Sequence, residues 1–455
     1  FVILEHLDHF NFSDTNICEP DHPSFILWKN SVSTWIGSGL VCEAFESPSW
    51  LLIYYLAGDN NLDESLQMTI SFINYYRNPN IDIAIFYDSA RLDTSYRFYP
   101  SSGGVRYIPM GNLNSADGQT LTDFITWAES KSTAQNRALI IGDHGHGLTG
   151  VATDMRGDFT FPEPSDKIVV SELRQALLPK EKFDVIYSHT CLTANLEFMW
   201  ELRDLTDYYV ASESISFLPT SHDYLMQVGP DTTASDLALS MAESYYISLA
   251  RPSNPSTISV VDMRYLHDMF DRTNNLALAI KMAPIEIKTN LWGLLDHSIV
   301  QRFDEGILPG IDNFDRFADL FHFASLTNYF PELSFAAQAL LSTENNFVLY
   351  NRAWSGTRPK GTYWNHDNAR GVSIALPLNP ISFYKGEWLD FASGADWSFV
   401  SPSTQSFPQM ADYNWGPMVS DLISLNNPEG VDEPTPPEPV PMLVHYEIFI
   451  PMILR

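Results

Sequence analysis

Two residues of this chain have the chemistry of a nucleophile and its base, and a spacing that lets them meet. Cys191 closes the apolar segment FDVIYSHTC (183–191) and precedes the amphipathic stretch LTANLEFMWELRDL (192–205), which puts its sulfur at the N-terminus of an expected helix. The exposed N–H groups and dipole of such an end favour a thiolate, and a neighbouring imidazolium lowers the thiol pKa further. A cysteine is equally suited to filling a strand end as a small apolar residue. His144 follows the segment RALIIG and stands in the run Asp143-His144-Gly145-His146-Gly147, whose glycines let a backbone N–H come close to a substrate. The two residues are 47 positions apart, a span that a strand–helix–strand crossover covers while returning both to one crevice. A turn in which Asp143 and His146 only hydrogen-bond their own loop fits the same run.

The elements that would position this pair are legible in the apolar pattern. WLLIYYLAGDNNLD (50–63), IDIAIFYDS (81–89), RALIIGDHG (137–145), FDVIYSHTC (183–191) and DYYVASES (207–214) are apolar without alternation, as in strands covered on both faces. Between them QTLTDFITWAES (119–130), SELRQALL (171–178) and residues 192–205 repeat their apolar positions at three and four, as helices do. The expected fold class is α/β, a mostly parallel sheet with helices on both faces, whose chemistry gathers at the carboxyl ends of the strands. Beyond about residue 253 the chain reads PSTISVVDM (strand), FDRFADLFHFASL (helix, 314–326) and GVSIALPL (strand, 371–378), with no breaker cluster before them. The expected domain therefore runs over 49–425, with a helix-rich C-terminal subdomain from about 253. Residues 1–48 read as an irregular arm, 426–441 as a Pro/Glu-rich linker and 442–455 as a short apolar tail.

Charge narrows the function classes. Lys and Arg number 26 against 56 Asp and Glu, a formal charge of −30, which opposes binding to nucleic acid and to anionic membrane surfaces. No apolar run reaches the ~18 residues that a membrane helix needs, and nothing in the sequence sets an oligomeric state. Cys18, Cys42 and Cys191 are the three cysteines. Cys18 and Cys42 are close enough in sequence to pair as a disulfide in an oxidising compartment, which leaves Cys191 a lone thiol; two independent buried cysteines fit the spacing equally. Beginning at Phe1 without a basic leader, the chain reads as a mature extracellular or cell-surface bacterial product, or as a fragment.

The segments WLLIYYLAGDNNLD, SADGQTLTDFITWA, LIIGDHGHG, KIVVSELRQAL, DVIYSHTCLTANLEFMWEL, YYVASES and GVSIALP occur in an order and spacing that resembles the clostripain-like cysteine peptidases, of the clan that holds caspases, legumains and gingipains. The resemblance spans roughly residues 50–400. It implies a caspase-like fold and peptide-bond hydrolysis with His144 and Cys191 as catalytic dyad and the Gly145 and Cys191 amides as oxyanion hole, on protein or peptide substrates and with no required cofactor. Relatives that cleave after Arg or Lys carry an acid two positions before the cysteine; here His189 stands there. Glu213 and Asp223 are then the candidate acids of the substrate pocket. Self-cleavage between the catalytic residues, seen in relatives, would fall near Lys167, Arg174, Lys180 or Lys182. His146 and His189 do not make zinc-ligand spacing, whereas AGDNNLD and the acidic surplus point to calcium as the cation to consider. The rival readings are a catalytically silent binding module on the same fold and a cell-surface structural protein.

Overall fold

Trp50–Gly58 is buried along its whole length, and a strand with no polar side can persist in water only at the centre of a sheet with both faces covered. In this computed structural model it is an inner strand of a nine-stranded sheet. In chain order these are Trp50–Gly58 (β1), Ile81–Ser89 (β2), Leu92–Tyr99 (β3), Arg106–Gly111 (β4), Asn136–Gly142 (β5), Phe183–His189 (β6), Thr206–Ala211 (β7), Ser256–Asp262 (β8) and Val348–Trp354 (β9). In space the order is β9-β8-β7-β6-β5-β1-β2-β3-β4. The inner strands β2, β1, β5, β6 and β7 run parallel, and antiparallel strands flank them at both edges. The structure describes residues 8–11, 13, 19, 23–39, 48–99, 106–154, 166–249, 254–295, 299–303, 315–357, 363–377 and 414–426.

The helices that cover the sheet are Asp63–Tyr76 (α1), Gly118–Glu129 (α2), Val170–Leu177 (α3), Leu196–Glu201 (α4), Ala234–Leu249 (α5), Leu266–Met282 (α6), Leu320–Thr327 (α7), Pro331–Leu341 (α8) and Trp415–Asn426 (α9). Side chains alternate across a strand, so β1 serves two cores. Leu52, Tyr54 and Leu56 pack with Leu66, Ile70 and Ile73 of α1 and with Leu237 and Met241 of α5. Leu51, Ile53 and Tyr55 lie in the core formed with α2, α3, α4 and α6 to α9. Each such side chain contributes about 1.5–3 kcal/mol by leaving water. Because β8 and β9 complete the same sheet, the chain beyond residue 253 belongs to one unit with the first half. No described helix is long and apolar enough to cross a membrane.

Three expectations need correction. The helix expected over 192–205 is only Leu196–Glu201: Leu192, in the left-handed region at φ 62°, and Ala194 donate their N–H groups to Ser214 O (3.0 Å) and Ser212 O (2.9 Å), which holds 192–194 out of helix, and Asn195 caps the helix by accepting from Phe198 N at 2.8 Å. Cys191 is therefore not at a helix N-terminus, and the dipole expected to favour its thiolate is absent there. The stretch 314–326 divides into a strand, Phe317–Asp319, and α7; the strand pairs antiparallel with Ser373–Ala375, so the expected strand at 371–378 lies outside the large sheet. The N-terminal arm contains order: His9–Asn11 pairs parallel with Thr34–Ile36, and Phe10, Trp28 and Trp35 pack their rings together. The linker beyond Asn426, the tail, Cys18 and Cys42 lie outside the described residues.

Ile53→Ala empties a site in the centre of the sheet and should cost about 2–5 kcal/mol. Ile247→Ala, at a position 68% exposed, should stay within about 0.5 kcal/mol of wild type. Thermal melts of the two variants check the contrast.

Candidate active site

The parallel register of β5 and β6 pairs Gly142 with His189, the last residues of the two strands. His144 and Cys191 each follow two residues beyond that rung, at the carboxyl ends of neighbouring strands. Their approach is enforced by the residue between: a Cβ on Gly145 would stand 2.3 Å from Cys191 O and 2.6 Å from Cys191 N. Only glycine fits, and its absent side chain lets the two backbones touch. Gly145 also bridges to Val151, through a bond that His146 N donates to Gly150 O at 3.0 Å. That bond leaves the Gly145 N–H off the ladder.

His144 is half-buried and its Nε2 lies 2.7 Å from Asn61 Oδ1. With the amide oxygen accepting, Nε2 carries the proton and Nδ1 the lone pair; the tautomer follows from this hydrogen bond. Loss of water pushes the His144 pKa down to about 4, so the ring is neutral at pH 7. Asn61 is presented by its neighbour. Asn60, fully buried, donates Nδ2 toward Ala57 O (3.0 Å), Asp143 Oδ1 (2.8 Å) and Thr153 O (2.9 Å), tying the ends of β1 and β5 to the hairpin strand Val151–Asp154. Asp143 also accepts from Thr153 N, and burial pushes its carboxyl well above the usual range against these bonds. His146 Nε2 meets Thr153 Oγ1 at 3.0 Å. Asp143 and His146 thus hold the loop, and His144 alone of the three faces Asn61.

Cys191, half-buried, meets a different partner from the expected helix. Ser216 N donates to Sγ at 3.4 Å, and Sγ lies 3.7 Å from Ser216 O. The Ser216–Phe217 backbone is held in turn by Tyr245 of α5, whose hydroxyl accepts from Ser216 Oγ (3.3 Å) and Phe217 N (3.2 Å). His189 Nε2 is 3.1 Å from Phe217 O.

The two candidate pocket acids have partners of their own. Glu213 is buried; its Oε2 accepts from Gly371 N at 3.0 Å, and burial, with the Asp319 carboxyl beside it, raises its pKa well above the carboxylate range. Asp223 accepts from Ser244 Oγ. Of the four basic residues expected near a self-cleavage point, Arg174 is buried and donates to Glu201 O and Arg203 O, whereas Lys180 is half-buried and Lys182 exposed. Asp59, Asp88 and Asp154 are buried with carboxylate oxygens within 4.8 Å of one another, and Asp154 accepts from Ser115 N at 2.9 Å. Their oxygen-only chemistry suits calcium rather than zinc.

The sequence matches the model of the clostripain family over residues 54–403. The chain belongs to the clostripain family. It is a cysteine peptidase by that membership. Solved structures agree in fold. An inactive zymogen C11 protease from Parabacteroides distasonis superposes with a TM-score of 0.57 at 19% identity, covering 73% of this chain and 93% of that one. A secreted C11 cysteine protease from Bacteroides thetaiotaomicron, in complex with an irreversible peptide inhibitor, gives 0.57 at 18% identity, covering 72% and 92%. A comparison with curated proteins found no match.

Asn61 escaped the sequence reading, although tandem asparagines at a strand end where the sheet order reverses are a signal for a polar crevice. Asn61→Ala should lower kcat by about 10–100-fold through misorientation of His144 while KM stays within about two-fold, as read from steady-state kinetics. Gly145→Ala should remove activity and lower the melting temperature, because the new methyl meets backbone rather than a movable side chain.

Proposed function

We propose that this clostripain-family chain is a secreted endopeptidase in which Cys191 is the nucleophile and His144 its proton-transfer partner. What supports the reading is the terminal rung Gly142–His189, beyond which the two residues stand level on adjacent parallel strands with the Gly145 and Cys191 backbones in contact.

The mechanism follows from the ionisation states. With His144 held neutral by desolvation, it is ready to act as a base. His144 Nδ1 takes the thiol proton as sulfur attacks the scissile carbonyl carbon, and the Ser216 N–H stabilises the developing thiolate. The carbonyl oxygen gains charge against the Gly145 and Cys191 amides, each such donor contributing about 3 kcal/mol to the transition state. Collapse breaks the C–N bond, and the leaving amine takes the proton from His144. Water then attacks the thioester with His144 as base, which restores the thiol. Asn61 keeps the ring in the tautomer that leaves Nδ1 free for this traffic.

Secretion is supported by the secreted character of the similar Bacteroides thetaiotaomicron protein. An acidic surface of net charge −30 suits a soluble extracellular enzyme that meets cationic segments of its substrates.

Cys191→Ala should reduce hydrolysis of fluorogenic peptides to background, and His144→Ala by about 1,000-fold or more. The pH profile carries a sign. A base with its pKa lowered to about 4 stays competent until the pH falls to that value, so kcat/KM should hold from pH 7 to about 5 and drop only as the pH falls through about 4. An acid limb centred near 6.5 would instead indicate a solvated imidazole.

A further inference from the structure

A carbonyl carbon attacked by Cys191, with its oxygen on the Gly145 and Cys191 amides, carries its own side chain only two bonds away. On the β5 side that space is taken by His144 and Gly145, whose backbone already touches Cys191. The other side is bounded by Ser216 and Phe217, the first on the sulfur and the second on His189. The side chain preceding the scissile bond must therefore enter beside residues 216–217, above His189.

The groups packed beneath those residues are buried, polar and aromatic. His189 stacks on Tyr187 at 5.0 Å and 11° and presents an edge contact to Tyr245 at 5.4 Å and 80°. Behind them His222 Nδ1 lies 3.1 Å from Tyr224 Oη, and Tyr54 packs on His222 at 5.7 Å. Tyr187 Oη and His222 Nε2 are buried and have no hydrogen-bond partner among the described residues. Of the candidate acids, Glu213 turns to Gly371 N and lies beside Asp319, and Asp223 accepts from Ser244 Oγ.

Resting on the Cys191–His144 reading above, we propose that the enzyme cleaves after uncharged residues and that His189 is the residue that sets this preference. A guanidinium or ammonium entering here is desolvated against groups that return no opposite charge. The ring face of Tyr187 is already covered by His189. A carboxylate gains nothing from a neutral imidazole and is opposed by the net charge of −30. An uncharged side chain keeps its stem against the rings, and one with a polar end can answer the buried Tyr187 hydroxyl or His222 nitrogen, atoms that are costly to leave unmatched. Burial pushes the His189 pKa down to about 4 and that of His222 to about 3, so the preference is the same at pH 5.5 and pH 8.

Fluorogenic peptides identical except at the residue before the scissile bond (Ala, Leu, Asn, Gln, Phe, Asp, Lys or Arg) test this with the full chain as wild type, Cys191→Ala, His189→Asp and His189→Gln. In wild type the best uncharged residue should exceed Lys and Arg in kcat/KM by at least about 100-fold. His189→Asp should raise Lys and Arg relative to that residue by at least about 10-fold, and His189→Gln, which stays neutral, should not. Wild-type cleavage that is best after Lys or Arg overturns the preference and leaves the dyad standing. Hydrolysis of every peptide at the Cys191→Ala level overturns both. If the aspartate variant melts below the assay temperature, the wild-type ratio decides alone.

Discussion

The site depends on one pairing, the parallel ladder between β5 and β6 in the register that ends on Gly142 and His189. A slip of one residue would turn every side chain of β6 to the opposite face and separate the two catalytic candidates. The register follows from two different cores: Ala138, Ile140, Val185 and Tyr187 pack in one, and Leu139, Ile141 and Ile186 in the other. The same hydrophobic force that makes the sheet thus sets the sulfur and the imidazole side by side. Glycine at 145 completes the arrangement, because any larger residue would push the Cys191 backbone away.

Around that pairing the site is dry. His144, His146, His189 and His222 all have their pKa values lowered by desolvation, and each spends a ring nitrogen on a specific partner: Asn61, Thr153, Phe217 O and Tyr224. On the proposed reading, neutral histidine is both base and lining. This separates the enzyme's chemistry at neutral pH from the charge of its pocket, since one imidazole cycles its proton while another remains an uncharged wall. The correction at Cys191 has the same origin. Hydrogen bonds to the strand-like segment 212–214 draw residues 192–194 out of helix, and the sulfur receives a fixed backbone N–H in place of a helix dipole.

The sheet was legible because continuous apolar runs of seven to nine residues have few ways to be buried. The interval between His144 and Cys191 was legible for the same reason, as a crossover of strand, helix and strand. Short elements were less so. LTANLEF has helical periodicity, yet its first residues are captured by a neighbouring segment whose position depends on the whole fold, and FADLFHF divides where Asp319 caps a helix instead of continuing one. The third member of the site was hidden for a related reason. Asn61 reads locally as a turn residue after β1, and only the reversal of strand order between β1 and β5 carries it to His144. Glu213 shows the converse: an acid near the cysteine in sequence turns inward to Gly371 because the loop that holds it is a structural clamp.

The central claim is that one rung of the sheet aligns Cys191 and His144 on a single carbonyl. Mass-spectrometric mapping of the adduct left by an irreversible peptidyl ketone addresses it directly, since the three cysteines of the chain report on one another. The account predicts a single adduct on Cys191, formed slowly or not at all in His144→Ala. Labelling spread over Cys18, Cys42 and Cys191, or labelling of Cys191 at an unchanged rate without His144, would contradict it.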